Sequence, residues 1–232
     1  MIRFQTQSTS TVYNLLPAFN GQQGNVVDND PFLDTTYNGI EITAQKRFSN
    51  RWQMTTGFTA GKNSGGINAQ GGQSGTADLN DPNIAAYASG IVGTDSLYAF
   101  RLSGSYRAPW DIQVAGSLIS NTGYPYMSTY SVTRALAATA GVALTRSTQS
   151  VFLSDRGDER YPNVTLIDLR ISRVFHFSGN RRIEPTFDIF NLGNASTITT
   201  LTTAVPATGT TYLAPSAIVS PRIMKVGFSI NF

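Results

Sequence analysis

The chain has no cysteine among its 232 residues, so neither a disulfide framework nor a thiolate metal site is available to it. It has a single histidine, His176, which leaves Ser-His-Asp and Cys-His arrangements little to build on. Charge is scarce: Asp, Glu, Lys and Arg make up 13%, against about a quarter in an ordinary soluble domain. The net charge of +3 is scattered, whereas a nucleic-acid footprint needs basic residues gathered on one face. No apolar run reaches the ~18 residues of a transmembrane helix, and mean hydropathy is only -0.12. Strands that cross a membrane would not raise that value, because only every second residue meets lipid. Met1 to Thr11 lacks the charged and then apolar regions of a secretory signal. Glycine-rich phosphate motifs and metal-ligand spacings are missing too.

Ser, Thr, Asn, Gln and Gly fill the gap, with Tyr and Phe plentiful, a mixture that favours strands and polar loops over helices. Period two marks a strand with unlike faces. From Ile40 to Phe48, the polar Glu41, Thr43, Gln45 and Arg47 alternate with Ile40, Ile42, Ala44 and Phe48, and Lys46 is the exception. After Ser49-Asn50-Arg51 the alternation restarts with Trp52, Met54, Phe58 and Ala60, which predicts a hairpin on a tight turn. A second hairpin has Tyr98, Phe100, Leu102 and Tyr106 before a turn at Ala108-Pro109, then Trp110, Ile112, Val114 and Leu118. A third carries Ile167, Leu169, Ile171, Phe175 and Phe177, turns at 178–181, and returns as Ile183, Phe187 and Ile189. A last strand alternates Met224, Val226, Phe228, Ile230 and Phe232 with Lys225, Gly227, Ser229 and Asn231. Seven strands are read this way, with a fainter eighth pattern from Ile2 to about Ser10.

Short turns and long polar loops alternate along the chain. The long ones run from Lys62 to Ser96, Asn121 to Val164 and Asn191 to Pro221. Outer-membrane barrels have short periplasmic turns and long extracellular loops, and placing the last strand inward puts every short turn on the periplasmic side. The strands are about 10 residues long, as a tilted membrane strand requires. Phe48 with Trp52, Tyr106 with Trp110, Phe175 with Phe177, and Phe232 crowd the short-turn ends, where interfacial girdles lie. The expected fold is therefore all-β: an antiparallel transmembrane β-barrel wall of about eight strands. A barrel must cross the inner membrane, so a signal is expected either to have been removed or to lie in preceding sequence.

Five stretches carry a resemblance to known proteins. Pro221-Arg222-Ile223-Met224-Lys225-Val226-Gly227-Phe228-Ser229-Ile230-Asn231-Phe232 looks like the last strand of outer-membrane proteins. There, Phe228, Ile230 and Phe232 would form the signal read by the barrel assembly machinery, a strand-addition event. The run from Tyr161 to Arg170, the run from Arg182 to Asn194 and the loop from Ala214 to Ile218 are similar to the end of TonB-dependent receptors. The Oar-like branch, which carries a carboxypeptidase-regulatory-like domain, is the best match, and Tyr37 to Phe48 resembles an earlier strand of the same barrels. The resemblance implies that residues 1–232 are the C-terminal part of a barrel of about 22 strands, with the plug and first strands absent. It implies an outer-membrane location and passage of an unidentified solute, with TonB reached only through the missing N-terminal region.

In that register Glu41, Arg47, Arg101, Arg107, Asp111, Asp168, Arg170, Glu184, Asp188 and Lys225 face the lumen. They can pair across neighbouring strands and with a plug, or form a polar path for a solute. Arg173 faces lipid near the periplasmic end, where it can snorkel. Asp155-Arg156-Gly157-Asp158-Glu159-Arg160 is the densest charge cluster, either a solvated, self-paired loop tip or an oxygen-ligand site for Ca²⁺. Gly65-Gly66 and Gly71-Gly72 fall in a low-complexity loop. No catalytic residue, cofactor or nucleic-acid partner is expected. A stand-alone eight-stranded structural or adhesive barrel and a soluble β-domain that binds ligands through its loops are the other readings.

Overall fold

The computed structural model describes residues 12–22, 34–66, 81–85, 89–93, 95–178, 181–206 and 211–232. Seven long strands form one sheet: β1 (Thr35–Ser49), β2 (Trp52–Gly66), β3 (Tyr98–Arg107), β4 (Ile112–Asn121), β5 (Val164–Arg173), β6 (Arg182–Phe190) and β7 (Ile223–Asn231). Each pairs antiparallel with its neighbour in sequence, so the sheet is an up-and-down meander. Among the described residues β1 pairs along its length only with β2, and β7 only with β6. Because directions alternate, these two edge strands run the same way. The segment Ile2 to Ser10 lies outside the described residues.

The cross-strand register joins the alternating residues into two continuous faces. Ile42 stands opposite Phe58, Thr56 opposite Leu102, and Leu102 opposite Leu118. The row continues as Val114 opposite Ile171, Ile171 opposite Phe187 and Phe187 opposite Val226. The other face runs through Glu41–Thr59, Gly57–Arg101, Ser103–Ser117, Ser117–Asp168, Arg170–Asp188 and Asp188–Lys225. A slip of one residue in any strand would exchange its faces, and the single shift among these pairings falls between Lys46 and Ser49, beside the first turn.

The first turn is as short as the alternation requires. Asn50 and Arg51 have φ of 51° and 70°, the left-handed pair of a two-residue hairpin loop. The second turn lies later than expected. Trp110 and Asp111 are not the start of a strand but hold φ of 62° and 55°, and β4 begins at Ile112. Pro109 has no N–H to donate, and the hairpin closes instead through the Ala108 amide on the Ile112 carbonyl. The third arm is interrupted at Val174, after which Phe175–His176 rejoin β6 in unchanged register. The gap faces Glu184 and Pro185, and the proline cannot supply a ladder hydrogen bond.

β1 and β2 are each 15 residues long, not about 10, and their ends stand beyond the start of β3. Gly65 and Gly66 belong to β2 and not to a loop. At Gly65, φ is 144° and a Cβ would sit 2.1 Å from the Asp34 carbonyl oxygen, so only glycine fits. Nearer the middle of the hairpin, Tyr37 lays its ring over the facing pair Gly39 and Gly61.

The long connections are not plain loops. The one between β4 and β5 holds an antiparallel pair, Thr129–Thr133 with Thr148–Phe152, and a short helix, Arg134–Thr139, capped by the Thr133 hydroxyl. Ala204–Val205, from the connection between β6 and β7, pairs in parallel with Thr129–Tyr130. The connection between β2 and β3 joins them through Asp81, which accepts hydrogen bonds from Gln149 at 3.1 Å and Arg146 at 2.9 Å. Asp95 is paired with Arg160. The three connections thus form one folded cap at one end of the sheet. Two residues of the Asp155–Arg160 stretch pair outside it: Arg160 reaches Asp95, and Glu159 accepts from Ser128 at 2.8 Å.

Candidate functional site

Burial is inverted across the sheet. Among the described residues the buried apolar side chains are Val92, Ala137, Leu144 and Val151, all in the cap. The buried polar residues of the seven strands are Ser172 and Asp188, on the polar face. Ile40, Ile42, Phe58, Phe187, Val226 and Phe228 on the apolar face are exposed, Val226 at 79% and Phe228 at 74%. A water-soluble sheet would cover that face with a second layer, because exposing it forgoes roughly 25 cal/mol for each Å². No such layer exists among the described residues.

The polar face is concave. A cavity of about 680 Å³ is lined from six strands, by residues that include Gln45, Gln53, Ser103, Gln113, Asp168, Arg170 and Asp188. At its side Arg170 grips Asp188 in a bidentate pair, Nε to Oδ1 at 2.5 Å and Nη2 to Oδ2 at 3.0 Å. Such forked geometry fixes both side chains as well as pairing their charges. Lys225 faces Asp188 from β7, so positive groups flank one carboxylate across three strands. Asp168 accepts from the Asn191 amide at 2.9 Å, and Ser117 lies within 3.5 Å. Glu41, opposite Thr59, and Arg101, between Gly57 and Ile119, share the face, though neither joins the Arg170–Asp188 pair. Glu184 stands opposite Ser229, toward the short-turn end. Asp111 is in the second turn, and it does not continue this row.

Phe228 and Ile230 lie on the apolar face of β7, opposite Pro185 and Ile183. Phe232 follows the strand and is 91% exposed. Among the described residues β7 therefore presents an unpaired backbone edge beside alternating exposed apolar side chains.

Other groups were not anticipated from sequence. Asn191, buried at 5% and at φ 53°, donates to the Ala195 and Ser220 carbonyls and accepts from the Ala195 amide. Asn194 accepts from the Arg222 amide at 2.9 Å. The Asp-Ile-Phe-Asn-Leu-Gly-Asn run is thus a corner that ties the end of β6 to β5 and to the start of β7. Lys46, the misfit on the apolar face, bends to the turn. Its Nζ donates to Ser49 O at 2.9 Å and Trp52 O at 3.1 Å and sits 4.0 Å from the Trp52 ring centre.

In the cap, burial pushes the Asp81 carboxyl up. Hydrogen bonds from Gln149 and Asn83 and the charge of Arg146 outweigh burial and hold it below the ordinary range. Burial and the nearby Glu159 carboxylate push the Tyr126 phenol up.

The concave face offers fixed charge, hydroxyls and amides, which suit solvation and weak solute contact. His176 stands 3.7 Å from Asp111, both largely exposed, and neither lines the cavity. Among the described residues no three carboxylate or imidazole groups converge on a point where a metal could be held, and no helix is long and apolar enough to cross a membrane. No protein-family model and no curated protein matches the chain.

Proposed function

We propose that this chain is part of the wall of a TonB-dependent, Oar-like receptor barrel in the bacterial outer membrane. In that role it lines the passage of a solute and performs no catalysis. The inverted burial carries the proposal: a continuous exposed apolar face backs a concave polar face with a buried carboxylate. Lipid is the solvent that makes such a distribution favourable, since it covers the first face while water fills the second. The alternation of short turns with connections gathered into one cap supports the same reading, with the cap outside the cell. The β7 edge, unpaired among the described residues, and its exposed Phe228, Ile230 and Phe232 suit strand addition by the barrel assembly machinery. Energy coupling belongs to the plug and TonB-contacting parts that the resemblance implies.

The test is face-resolved labelling. Single cysteines at Leu102, Leu169, Arg101 and Arg170 are introduced, the protein is inserted into bilayers, and a lipid-soluble thiol reagent is added. Leu102→Cys and Leu169→Cys are expected to react and Arg101→Cys and Arg170→Cys to be protected. The reverse pattern, or equal reaction at all four, would sink the membrane wall.

A further inference from the structure

The charges at the two ends of the sheet are organised differently. At the cap end two arginines are paired with carboxylates, Arg146 with Asp81 and Arg160 with Asp95, while Arg134 is held by the Leu144 and Thr145 carbonyls. At the short-turn end Lys46, Arg51 and Arg173 have no carboxylate partner among the described residues. Lys46 is held by carbonyl and hydroxyl oxygens, which orient its ammonium without cancelling its charge. Arg173 lies over the Phe175 ring at 4.7 Å. The one carboxylate in the short turns, Asp111, is beside His176. Arg51 occupies a left-handed turn position, φ 70°, where glycine or asparagine is the easy choice.

Position sharpens the contrast. By the register, the charged residues on the apolar face are Lys46, Lys62 and Arg173, with no acid among them. Lys46 and Arg173 lie at the short-turn border, interleaved with the exposed rings of Trp52, Tyr106, Trp110 and Phe175. A cation beside an indole or phenyl ring can reach a headgroup while its stem stays against the apolar surface.

Resting on the membrane reading above, we infer that this rim is a docking surface for anionic phospholipid headgroups. Lys46, Arg51 and Arg173 supply uncompensated positive charge at the height where the aromatic belt meets the leaflet. A zwitterionic headgroup brings its own cation and gains little there, whereas a net-negative phosphodiester completes the charge balance. Each uncompensated cation favours the anionic lipid locally on the order of fivefold, less at high salt.

The chain contains two tryptophans, Trp52 and Trp110, and both are on this rim, so intrinsic fluorescence reads it directly. The full chain is inserted into phosphatidylcholine bilayers that contain a minor fraction of brominated lipid, either phosphatidylcholine or phosphatidylglycerol. Stronger quenching by the brominated phosphatidylglycerol is expected, falling toward the phosphatidylcholine value as salt is raised. In Arg51→Asn/Arg173→Gln the phosphatidylcholine quenching is expected to stay and the preference to fall to the roughly fivefold share left to Lys46. Asn suits the left-handed turn, so this variant keeps the hairpin. Equal quenching by the two lipids in the unmodified chain, or a preference undiminished by the double substitution, would overturn the headgroup site and leave the membrane wall standing. No quenching by either lipid would overturn both.

Discussion

Asn191 shows how much one side chain can carry where a strand ends. It sits in the left-handed region and closes hydrogen bonds to Ala195 and Ser220, while its amide reaches Asp168. Each intramolecular hydrogen bond is worth about 1 kcal/mol net, and a left-handed residue other than Gly or Asn costs about 1–2 kcal/mol. Asn191→Ala is therefore expected to destabilise the protein by about 2–4 kcal/mol in urea unfolding. Asn191→Gly recovers about 1 kcal/mol of that, because the backbone strain is gone while the side-chain bonds remain lost. Equal losses in the two variants would mean that the strain contributes nothing. Lys46 makes a related point. Alternation marks it as a misfit on the apolar face, and it becomes acceptable because the stem is long enough to reach the Ser49 and Trp52 carbonyls.

The seven long strands were legible because period two is a local property, complete within about 10 residues, and because one face is apolar and the other polar from strand to strand. Turn placement was less so. Trp110 has the right polarity and parity for a strand, and only the missing proline amide next to it moves the turn forward. The cap was illegible. Ala204–Val205 pairs with Thr129–Tyr130, and Asp81 with Arg146, across separations that leave no spacing rule to read. That Arg170 and Asp188 share the polar face could be read, whereas the choice of Asp188 as partner for Arg170 needed the register. The cap's polar ties give it a pH response of its own. Asp81 binds its proton less readily in the folded cap than in an unfolded chain, so its contribution is full above the ordinary carboxylate value of about 3.9. That contribution is lost as pH falls through the lower folded value. Hydrogen exchange is expected to show the amides of Thr148–Phe152 losing protection below about pH 4 ahead of those in β4 and β5. In Asp81→Asn this acid-dependent step should disappear. Simultaneous loss in cap and wall would show that Asp81 has no separate local role.

At the scale of the molecule, the sheet has two open edges among the described residues, and each is a row of backbone groups that invites association. A wall made only of residues 35–232 is expected to give no compact, heat-modifiable monomer in detergent and no solute flux after reconstitution. A monomer that shifts in gel mobility on heating and conducts a solute would overturn this view of the edges. The shared direction of β1 and β7 sets a further rule, one of parity. Strands that complete the wall in antiparallel order must be odd in number, whichever molecule supplies them, since an even number would force a parallel seam. A hairpin adds two strands and leaves that parity untouched. Hairpin duplication or deletion can therefore change the girth of such a barrel while keeping every seam antiparallel, and loss of a single strand cannot.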